Sequence, residues 1–387
     1  MDDKRPAKKS SRTGLKTFDH PAGRLTFLRL RGHDVGGLPG FQRAEDASMR
    51  LTENAVTSFP VPIGIAENFI INDAERLVTM ATEERSVVAA ASYAAKLCRE
   101  TGGFRTTVSD NVTRGQVFYG PSSFENARMS ARDAAAAINK RSRELIAQLI
   151  AADDPMTKHG GGAYDISACR HAQRGDALVV SLTVNVADAM GASVVTRMGE
   201  TLAVILEPLL GIRPTTVICS NEAQGSTVRV TAEWPTAPFG ERLLTRIIEL
   251  QSWADEDKRR AVTHNKGIMN GVSAVCLATG QDVRAVEAAA HAAATDELLR
   301  YRPFTAWHWL HGDRTIRGML KLCVPLGTVG GATSHPTAAW CRKLMGVENV
   351  SDLAAIVGAV GLAQNFAALR SLADEGITEA RRRACEK

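Results

Sequence analysis

The pattern of apolar and polar residues along the chain predicts a mixed α/β protein. Residues 63–71 form a mostly apolar run that predicts a strand, and the Asn72-Asp73 pair predicts the turn that ends it. Acidic residues begin the segment 80–97 and small residues fill the rest, which is typical of a helix packed closely against a neighbour. A short helix is predicted over 48–59, because prolines follow it at once.

Between about residues 111 and 222 the pattern changes to a compact unit in which strands and helices alternate. Strands are predicted over 115–119, 177–186 and 216–221, and helices over 126–152 and 191–209.

Beyond this unit the pattern is mainly helical. Helices are predicted over 241–255, 283–294 and 354–372, with Asp282 as the N-cap of the second. Residues 301–322 are rich in Trp and His, and we interpret them as a surface loop that leads into a strand at 316–324.

The net charge of +5 is concentrated at the N-terminus. Residues 1–32 carry nine basic residues against three acidic ones, so the remainder, with 38 basic and 39 acidic residues, is close to neutral. This distribution favours a solvated basic head over a nucleic-acid-binding body.

The remaining composition favours a cytoplasmic protein. The sequence contains no run of eighteen apolar residues, so a membrane span is not predicted, and the first residues lack the apolar core of a secretory signal. Seven scattered cysteines without a Cys-x-x-Cys spacing favour a reducing compartment over a disulfide framework or a zinc site, although two of them could still pair.

Candidate chemistry is concentrated in the nonapeptide THNKGIMNG at residues 263–271. Lys266 lies there beside glycine and two amide side chains, and Asp282 follows sixteen residues later. An ammonium and a carboxyl in one cleft would tune each other's protonation. The alternative is that Asn-Lys-Gly is a surface turn and Asp282 only an N-cap.

The nonapeptide and the segment GQDVRAVE at 280–287 closely resemble the hydroxymethylglutaryl-CoA reductases, in particular the bacterial class II branch. The resemblance implies that Lys266 stabilises the developing oxyanion and that Asp282 organises the site. It also implies substrate contacts from Asn270 and from Arg260, whose planar guanidinium suits a carboxylate.

A second segment, EERSVVAAAS at 83–92, resembles the Glu-Glu-Pro-Ser signature of the same family. The resemblance implies that Glu84 supplies a proton and that Ser86 contacts the hydroxymethylglutaryl group. Arg85 stands where the family has proline. A cation at this position favours the ionised form of Glu84, which opposes a role as proton donor.

Two further segments resemble the dinucleotide site of the family. GGGAYDI at 160–166 contains Asp165, which would accept a hydrogen bond from a ribose 2′-hydroxyl and repel a 2′-phosphate, so NADH is expected ahead of NADPH. Asn221 ends a Ser-Asn pair that the family shares. DAMGAS at 188–193 is a strand-to-helix turn whose amides could face a pyrophosphate, and it implies cofactor contacts from Asp188, Met190, Gly191, Ala192 and Ser193.

The resemblance ends near residue 377. The family continues there into a mobile helical flap whose histidine protonates the coenzyme A thiolate, whereas no histidine follows His335 in this sequence. Loss of one general acid typically costs about 100- to 10,000-fold in rate. We therefore expect an NAD(P)H-dependent reductase that forms mevalonate slowly or acts on a related acyl thioester or aldehyde. The alternatives are a lyase or hydrolase without hydride transfer, and a non-catalytic coenzyme A-binding partner protein.

The resemblance implies an α/β (α+β) fold with a large substrate domain around a central helix and an inserted ferredoxin-like dinucleotide-binding domain. We expect the large domain at 41–110 and 223–377 and the insert at 111–222, with a flexible head at 1–40 and a short tail at 378–387. The resemblance also implies a homodimer with active sites at the interface. A metal, a nucleic acid or a membrane is not expected as a partner.

Overall fold

The computed structural model describes residues 14–18, 20–171, 176–223, 225–312 and 314–374. The expected tail at 378–387 and the first thirteen residues of the expected head lie outside the described residues. The helices are α1 (Pro21–Leu30), α2 (Phe41–Ser48), α3 (Val87–Cys98), α4 (Ala131–Lys140), α5 (Ser142–Asp153), α6 (Ala192–Leu210), α7 (Glu241–Glu256), α8 (Lys258–Ala278), α9 (Val283–Ala293), α10 (Pro336–Met345) and α11 (Val350–Asp374). The strands are β1 (Ile63–Ile71), β2 (Ala74–Ala81), β3 (Phe104–Val108), β4 (Val112–Tyr119), β5 (Gly162–His171), β6 (Ala177–Asn185), β7 (Thr216–Cys219), β8 (Thr227–Pro235), β9 (Thr305–Leu310) and β10 (Thr315–Cys323).

The strand and the turn predicted at 63–73 are confirmed as the hairpin of β1 and β2. Asn72 and Asp73 both have positive φ values, 49° and 68°, which is the geometry of the two-residue turns that join antiparallel strands. The hairpin forms one edge of a six-stranded sheet with the order β2-β1-β3-β8-β10-β9.

The long helix α11 lies in the core of the large unit, between this sheet and α8. Gly271 of α8 allows the close approach, because a Cβ there would lie 2.9 Å from Val360 Cγ1. By length and composition α11 could cross a membrane, but 89% of its most apolar stretch is buried inside the protein. We therefore assign α11 as a core helix.

The second sheet is antiparallel and has the order β5-β6-β4-β7. Numbered within this unit, the strand order is second, third, first, fourth, which is the ferredoxin-like arrangement. Side chains from α4, α5 and α6 form a hydrophobic core with one face of the sheet, separate from the core around α11. The predicted fold class is therefore confirmed, whereas the domain limits at 111 and 222 stay predictions.

The helix predicted over 80–97 is wrong at its start. Residues 80 and 81 belong to β2, where Ala81 pairs with Ile63, and the helix begins only at Val87. Strand β2 continues to Ala81 because β1 provides hydrogen-bonding partners for its backbone. These partners are distant in sequence, so the local pattern does not reveal them. The acidic pair that includes Glu84 consequently lies in the loop before α3 and outside its first turn.

Other predicted elements also differ from the structure. The helix predicted over 126–152 is divided into α4 and α5 at Arg141, whose φ of −105° and ψ of 10° are not helical. The helix predicted over 48–59 is wrong, because α2 ends at Ser48. Strand β5 was not predicted. Within the head expected to be flexible, α1 places Leu28 against Leu77 of β2.

The strand predicted at 316–324 is confirmed as β10, but the surface loop predicted before it is wrong, because residues 305–310 form β9 and pair with β10 at the end of the six-stranded sheet. Trp307 is buried there, with its ring centroid 5.2 Å from that of Trp234. The indole nitrogen of Trp307 donates to Asn365 Oδ1 at 2.8 Å. Trp307 therefore packs in the core, and the polar residues beside it in the sequence gave no indication of this.

Candidate active site

The nonapeptide at 263–271 lies entirely within α8, so the interpretation of Asn-Lys-Gly as a turn is wrong. Asp257 caps the helix by accepting from the amide of Arg260 at 2.8 Å. Buried positions recur along α8 with helical period, which fixes one face against the core. Lys266, Asn270 and Ser273 are spaced by four and three residues and share the opposite, more accessible face.

Lys266 and Glu84 meet across this accessible face of α8. The Nζ of Lys266 lies 3.7 Å from Glu84 Oε2, and Asn270 donates to the same oxygen at 3.4 Å. The loop that carries Glu84 is held by a hydrogen bond from its amide to Thr82 Oγ1 at 3.1 Å. The lysine side chain is 67% exposed and the glutamate side chain 32% exposed, so the pair is open to a ligand.

Ser86 follows Glu84 in an unusual backbone conformation. Its φ of 75° lies in the left-handed region, and its side chain does not cap α3. Such strain in a residue other than glycine is common at functional sites. Glu84, Arg85 and Ser86 all border a cavity of about 1020 Å³ that extends under α1 and includes Arg24.

Arg260 lies in the first turn of α8, about 9 Å of helix rise before Lys266. It is buried, and its guanidinium carbon lies 5.8 Å from the ring centroid of Trp253. Burial lowers the pKa of Arg260. A buried guanidinium is suited to bind a carboxylate group.

Asp282 is the N-cap of α9, as predicted. Its Oδ1 accepts from the amides of Arg284 at 3.1 Å and Ala285 at 3.3 Å. Partial burial opposes ionisation, but the Arg284 side chain and these amides hold the pKa of Asp282 below its usual value. The structure does not bring Asp282 to Lys266 within this chain, because the intervening part of α8, up to Ala278, rises about 18 Å.

The predicted dinucleotide segment at 188–193 forms the turn between β6 and α6. Gly191 has a φ of 93°, and no side chain caps α6, so the first amides of the helix, on Ala192 and Ser193, lack an intrahelical acceptor. Asp188 instead accepts from the amide of Val350 at 2.7 Å, at the start of α11. The anion-binding capacity of this segment therefore resides in its backbone.

Asn111 holds this turn in place, and the sequence did not single it out. Its amide nitrogen lies 2.9 Å from the carbonyl of Ala187, 2.8 Å from that of Ala189 and 3.1 Å from that of Leu326. Asn111 directly precedes β4, at the start of the compact unit, but the sequence offers no sign that three carbonyls converge on it.

Met190 contributes mainly backbone to the same turn. Its carbonyl accepts from Thr113 Oγ1 at 3.2 Å, and its amide would lie 2.5 Å from a Cβ on Gly327. The amide of Gly327 in turn donates to Gln281 Oε1 at 2.9 Å. The loop that carries Asp282 is thus adjacent to the predicted dinucleotide segment.

The four-stranded sheet places Asp165 and Asn221 on either side of one row of residues. Asp165 pairs with Thr183, and Thr183 pairs with Arg114. The carbonyl of Arg114 then accepts from the amide of Ser220 at 2.8 Å, directly before Asn221. Asp165 and Asn221 are both exposed.

His264 belongs to the core despite its place in the nonapeptide. Its Nε2 lies 2.6 Å from Thr305 Oγ1 and 3.0 Å from the amide nitrogen of Asn365. Burial, assisted by the charge of Arg260, lowers the pKa of His264 to about 3. The imidazole is therefore neutral near pH 7.

The two sheets define an α/β fold with a ferredoxin-like insert, and the Lys266–Glu84 pair and the uncapped start of α6 form its candidate site. The family model described as hydroxymethylglutaryl-coenzyme A reductase matches residues 22–384. The chain belongs to the hydroxymethylglutaryl-coenzyme A reductase family.

Relatives and solved structures agree with this assignment. The 3-hydroxy-3-methylglutaryl-coenzyme A reductase of Archaeoglobus fulgidus is 38% identical over 335 residues, which cover 86% of this chain and 75% of the relative. The probable reductase of Borreliella burgdorferi is 31% identical over 340 residues, which cover 86% and 76%.

Among solved structures, the reductase of Streptococcus pneumoniae has a TM-score of 0.85 at 32% identity and covers 95% of this chain and 89% of that one. The class II reductase of Streptococcus pneumoniae, bound to NADPH in open conformations, has a TM-score of 0.82 at 32% identity and covers 93% and 99%.

Proposed function

We propose that this protein is a class II-type reductase that converts hydroxymethylglutaryl-CoA to mevalonate and releases coenzyme A in the cytoplasm. The observation that carries the proposal is the Lys266–Glu84 pair, 3.7 Å apart, in which Glu84 also accepts from Asn270 and borders a large cavity. The six cysteines of the described chain are free, which supports a reducing compartment.

The residues divide the chemistry between charge stabilisation and proton supply. The Lys266 ammonium stabilises the oxyanion that develops on the acyl carbonyl, and Glu84 supplies a proton to the oxygen at the aldehyde stage. Ser86 contacts the hydroxymethylglutaryl group, and Arg260 binds its free carboxylate. Two molecules of NAD(P)H, bound in turn, would each supply one of the two hydrides that the four-electron reduction requires.

The backbone at the start of α6 would hold the dinucleotide. Gly191, Ala192 and Ser193 would bind the pyrophosphate through their amides, and Asp165 and Asn221 would contact the nucleoside. Asp165 favours NADH, because its carboxylate repels a 2′-phosphate. The related Streptococcus pneumoniae structure contains NADPH. The ratio of the kcat/KM values for NADH and NADPH therefore decides which cofactor this protein prefers. Asp165→Ala should lower the preference for NADH, and an unchanged ratio would reject this role.

The dinucleotide segment beside Asp282 and the acyl site at Lys266 are too far apart in one chain to form a single site, so a complete site requires a second copy of the chain. Asp282 lies beside the dinucleotide segment, just after the C-terminal end of α8, whereas Lys266 lies about 18 Å of helix rise before that end. Hydride transfer brings the cofactor and the acyl carbon into contact. In the homodimer, the Asp282 end of one chain therefore faces Lys266 of the other.

Mixing two inactive variants tests this arrangement. Lys266→Ala and Asp282→Asn are unfolded together and refolded as a mixture. If each site is shared, about a quarter of wild-type activity returns, because half of the dimers are mixed and each of these has one complete site. If Lys266 and Asp282 act within one chain, both sites of a mixed dimer are defective and activity does not return.

The function itself is tested by a paired assay with NADH and NADPH. One arm supplies hydroxymethylglutaryl-CoA and the other mevaldehyde, with mevalonate and free thiol as products. Turnover of both supports the proposal. Turnover of mevaldehyde alone would locate the defect at the release of the coenzyme A thiolate. Failure of both arms would reject a reductase in favour of a non-redox homologue.

A further inference from the structure

The cavity that Glu84 borders has a wall formed by the start of the described chain. This part comprises the 3-10 helix Gly14–Thr17 and α1, and we call residues 14–18 and 20–31 the N-terminal segment. Residues of β1 and α3 line the same cavity, so a large ligand that fills it would contact both Glu84 and the N-terminal segment. The residues of the segment that line the cavity are Gly14, Leu15, Pro21, Arg24, Leu25 and Arg31.

Few buried side chains attach the N-terminal segment to the rest of the protein. All ten residues of α1 are described, and Leu28 alone is buried among them. Leu28 packs with Leu15, Val35 and Leu77 in a small hydrophobic cluster that is separate from the main core. Segments with few buried apolar contacts open locally at a low cost in free energy. The N-terminal segment can therefore open while the main core stays intact.

Glu67 on β1 provides a polar contact to this segment. The backbone amide of Leu15 donates to Glu67 Oε2 at 3.0 Å. The segment approaches closely there, because Gly14 has a φ of 81° and a Cβ on it would lie 2.7 Å from the same oxygen. A hydrogen bond to a carboxylate is stronger than one between neutral groups. Glu67 therefore fastens the first turn of the N-terminal segment to the wall of the cavity.

A β-bulge directs Glu67 into the cavity. Ala66 and Phe69 of β1 are both fully buried, and the register with β2 shifts between them. The bulge turns two successive polar residues, Glu67 and Asn68, toward the cavity, and Asn68 has a φ of 75°. Ser92 Oγ accepts from the amide of Glu67 at 3.0 Å, which holds the bulge against α3. Strain of this kind occurs mainly at functional sites and in switch regions.

We propose that the N-terminal segment is a lid over the acyl-thioester cavity and that Glu67 is the positioning residue that holds this lid closed. The identity of the ligand rests on the proposed function. Closure excludes water from the reacting thioester, and opening lets the coenzyme A product leave. Glu67 acts through the amide of Leu15 and takes no part in the Lys266–Glu84 pair.

Limited trypsin digestion of the full-length protein measures lid opening without turnover. Cleavage after Arg24 and Arg29 is followed by mass spectrometry, because these bonds become accessible only when α1 opens. Glu67→Ala should accelerate the cleavage about 10-fold, since it removes a charge-assisted hydrogen bond. Glu67→Gln keeps an accepting oxygen and should restore most of the protection. Glu100→Ala removes an exposed carboxylate just beyond α3, outside the cavity lining, and is the control that should leave the rate unchanged.

Coenzyme A is the probe for closure over a ligand, with its binding measured by calorimetry. At ten times its dissociation constant it should slow cleavage of wild-type α1 about 10-fold, because a ligand that binds only the closed form shifts the equilibrium by that factor. An N-terminus that serves packing alone would be cleaved at the same rate with and without coenzyme A. Glu67→Ala should also raise KM for the acyl thioester about 10-fold with kcat nearly unchanged, since Glu67 does not contact the reacting groups.

Equal cleavage rates in Glu67→Ala and the wild type, with both proteins shown to be folded by urea unfolding, would overturn the role of Glu67. Binding of coenzyme A without slower cleavage would overturn the lid. A wild-type protein that neither binds coenzyme A nor turns over the acyl thioester would reject the proposed function. The comparison of the Glu67 variants would still decide whether this carboxylate fastens the N-terminal segment.

Discussion

Around Lys266 the candidate functional groups are side chains on the accessible face of a helix, whereas around Gly191 they are backbone amides at the start of one. In the first region, Glu84 lies 3.7 Å from Lys266 Nζ and accepts a hydrogen bond from Asn270. In the second, the carboxylate of Asp188 caps a remote helix, and the amides at the start of α6 have no side-chain cap. Substitution should therefore affect the two regions differently, through charge in the first and through conformation in the second.

The largest effect is expected for Lys266→Ala. Loss of the group that stabilises the oxyanion should reduce kcat by about 100- to 1000-fold, whereas stability should change little because the side chain is mostly exposed. Steady-state kinetics and urea unfolding measure the two quantities. Lys258→Ala, at the exposed start of the same helix, is the control and should keep full activity. Comparable rates in the two variants would remove Lys266 from the chemistry.

A large effect on stability is expected from the opposite face of α8, at His264. Its pKa is about 3 in the fold against 6.5 ordinarily, so between these values the unfolded chain binds more protons than the folded one. Stability should consequently fall as pH decreases below about 6.5, by up to about 1.4 kcal/mol per pH unit from this residue.

Urea unfolding at pH 7, 6 and 5 measures this slope. His264→Gln is the informative variant, because it keeps a donor and an acceptor but cannot titrate in this range. Its stability is lower overall, yet its dependence on pH should be flatter than that of the wild type. Parallel curves would show that the imidazole is not held neutral by burial.

The difference between local and long-range contacts explains how much of the molecule could be predicted from sequence. Local signals were sufficient for β1 and its turn at Asn72 and for Asp282 as the cap of α9, because each depends on neighbours in the chain. The end of β2 and the burial of Trp307 depend on partner strands and on the core, so local patterns gave the wrong answer.

The candidate site shows the same division between features set by chain neighbours and features set by distant contacts. Motifs singled out Lys266 and Glu84, but their separation could not be known before the loop at Thr82 and the face of α8 were placed together. The role of Asn111 depends on contacts formed by the folded chain, and no local pattern indicates it.

An intermediate effect is expected in the backbone region for Gly191→Ala. The residue has a φ of 93°, and a Cβ would lie 2.5 Å from Val186 Cγ1. Strain and displacement should cost about 1 to 3 kcal/mol of stability and weaken dinucleotide binding, because the α6 amides move. Gly240→Ala, at a φ of −75° with open space around it, is the matched control. Equal behaviour of the two variants in unfolding and cofactor titration would contradict a conformational role.

The smallest effect, and the one that separates the two regions most sharply, is expected for Asp188. Because its carboxylate caps α11 through the amide of Val350, Asp188→Ala should cost about 1 kcal/mol of stability. Asp188→Asn keeps the accepting oxygen without the charge and should retain most of that stability. If the segment binds the dinucleotide through backbone alone, the dissociation constant should be similar in the Asn variant and the wild type. A substantial change in affinity for the Asn variant, with stability intact, would show that the carboxylate contacts the cofactor, and the backbone region would then resemble the Lys266 region after all.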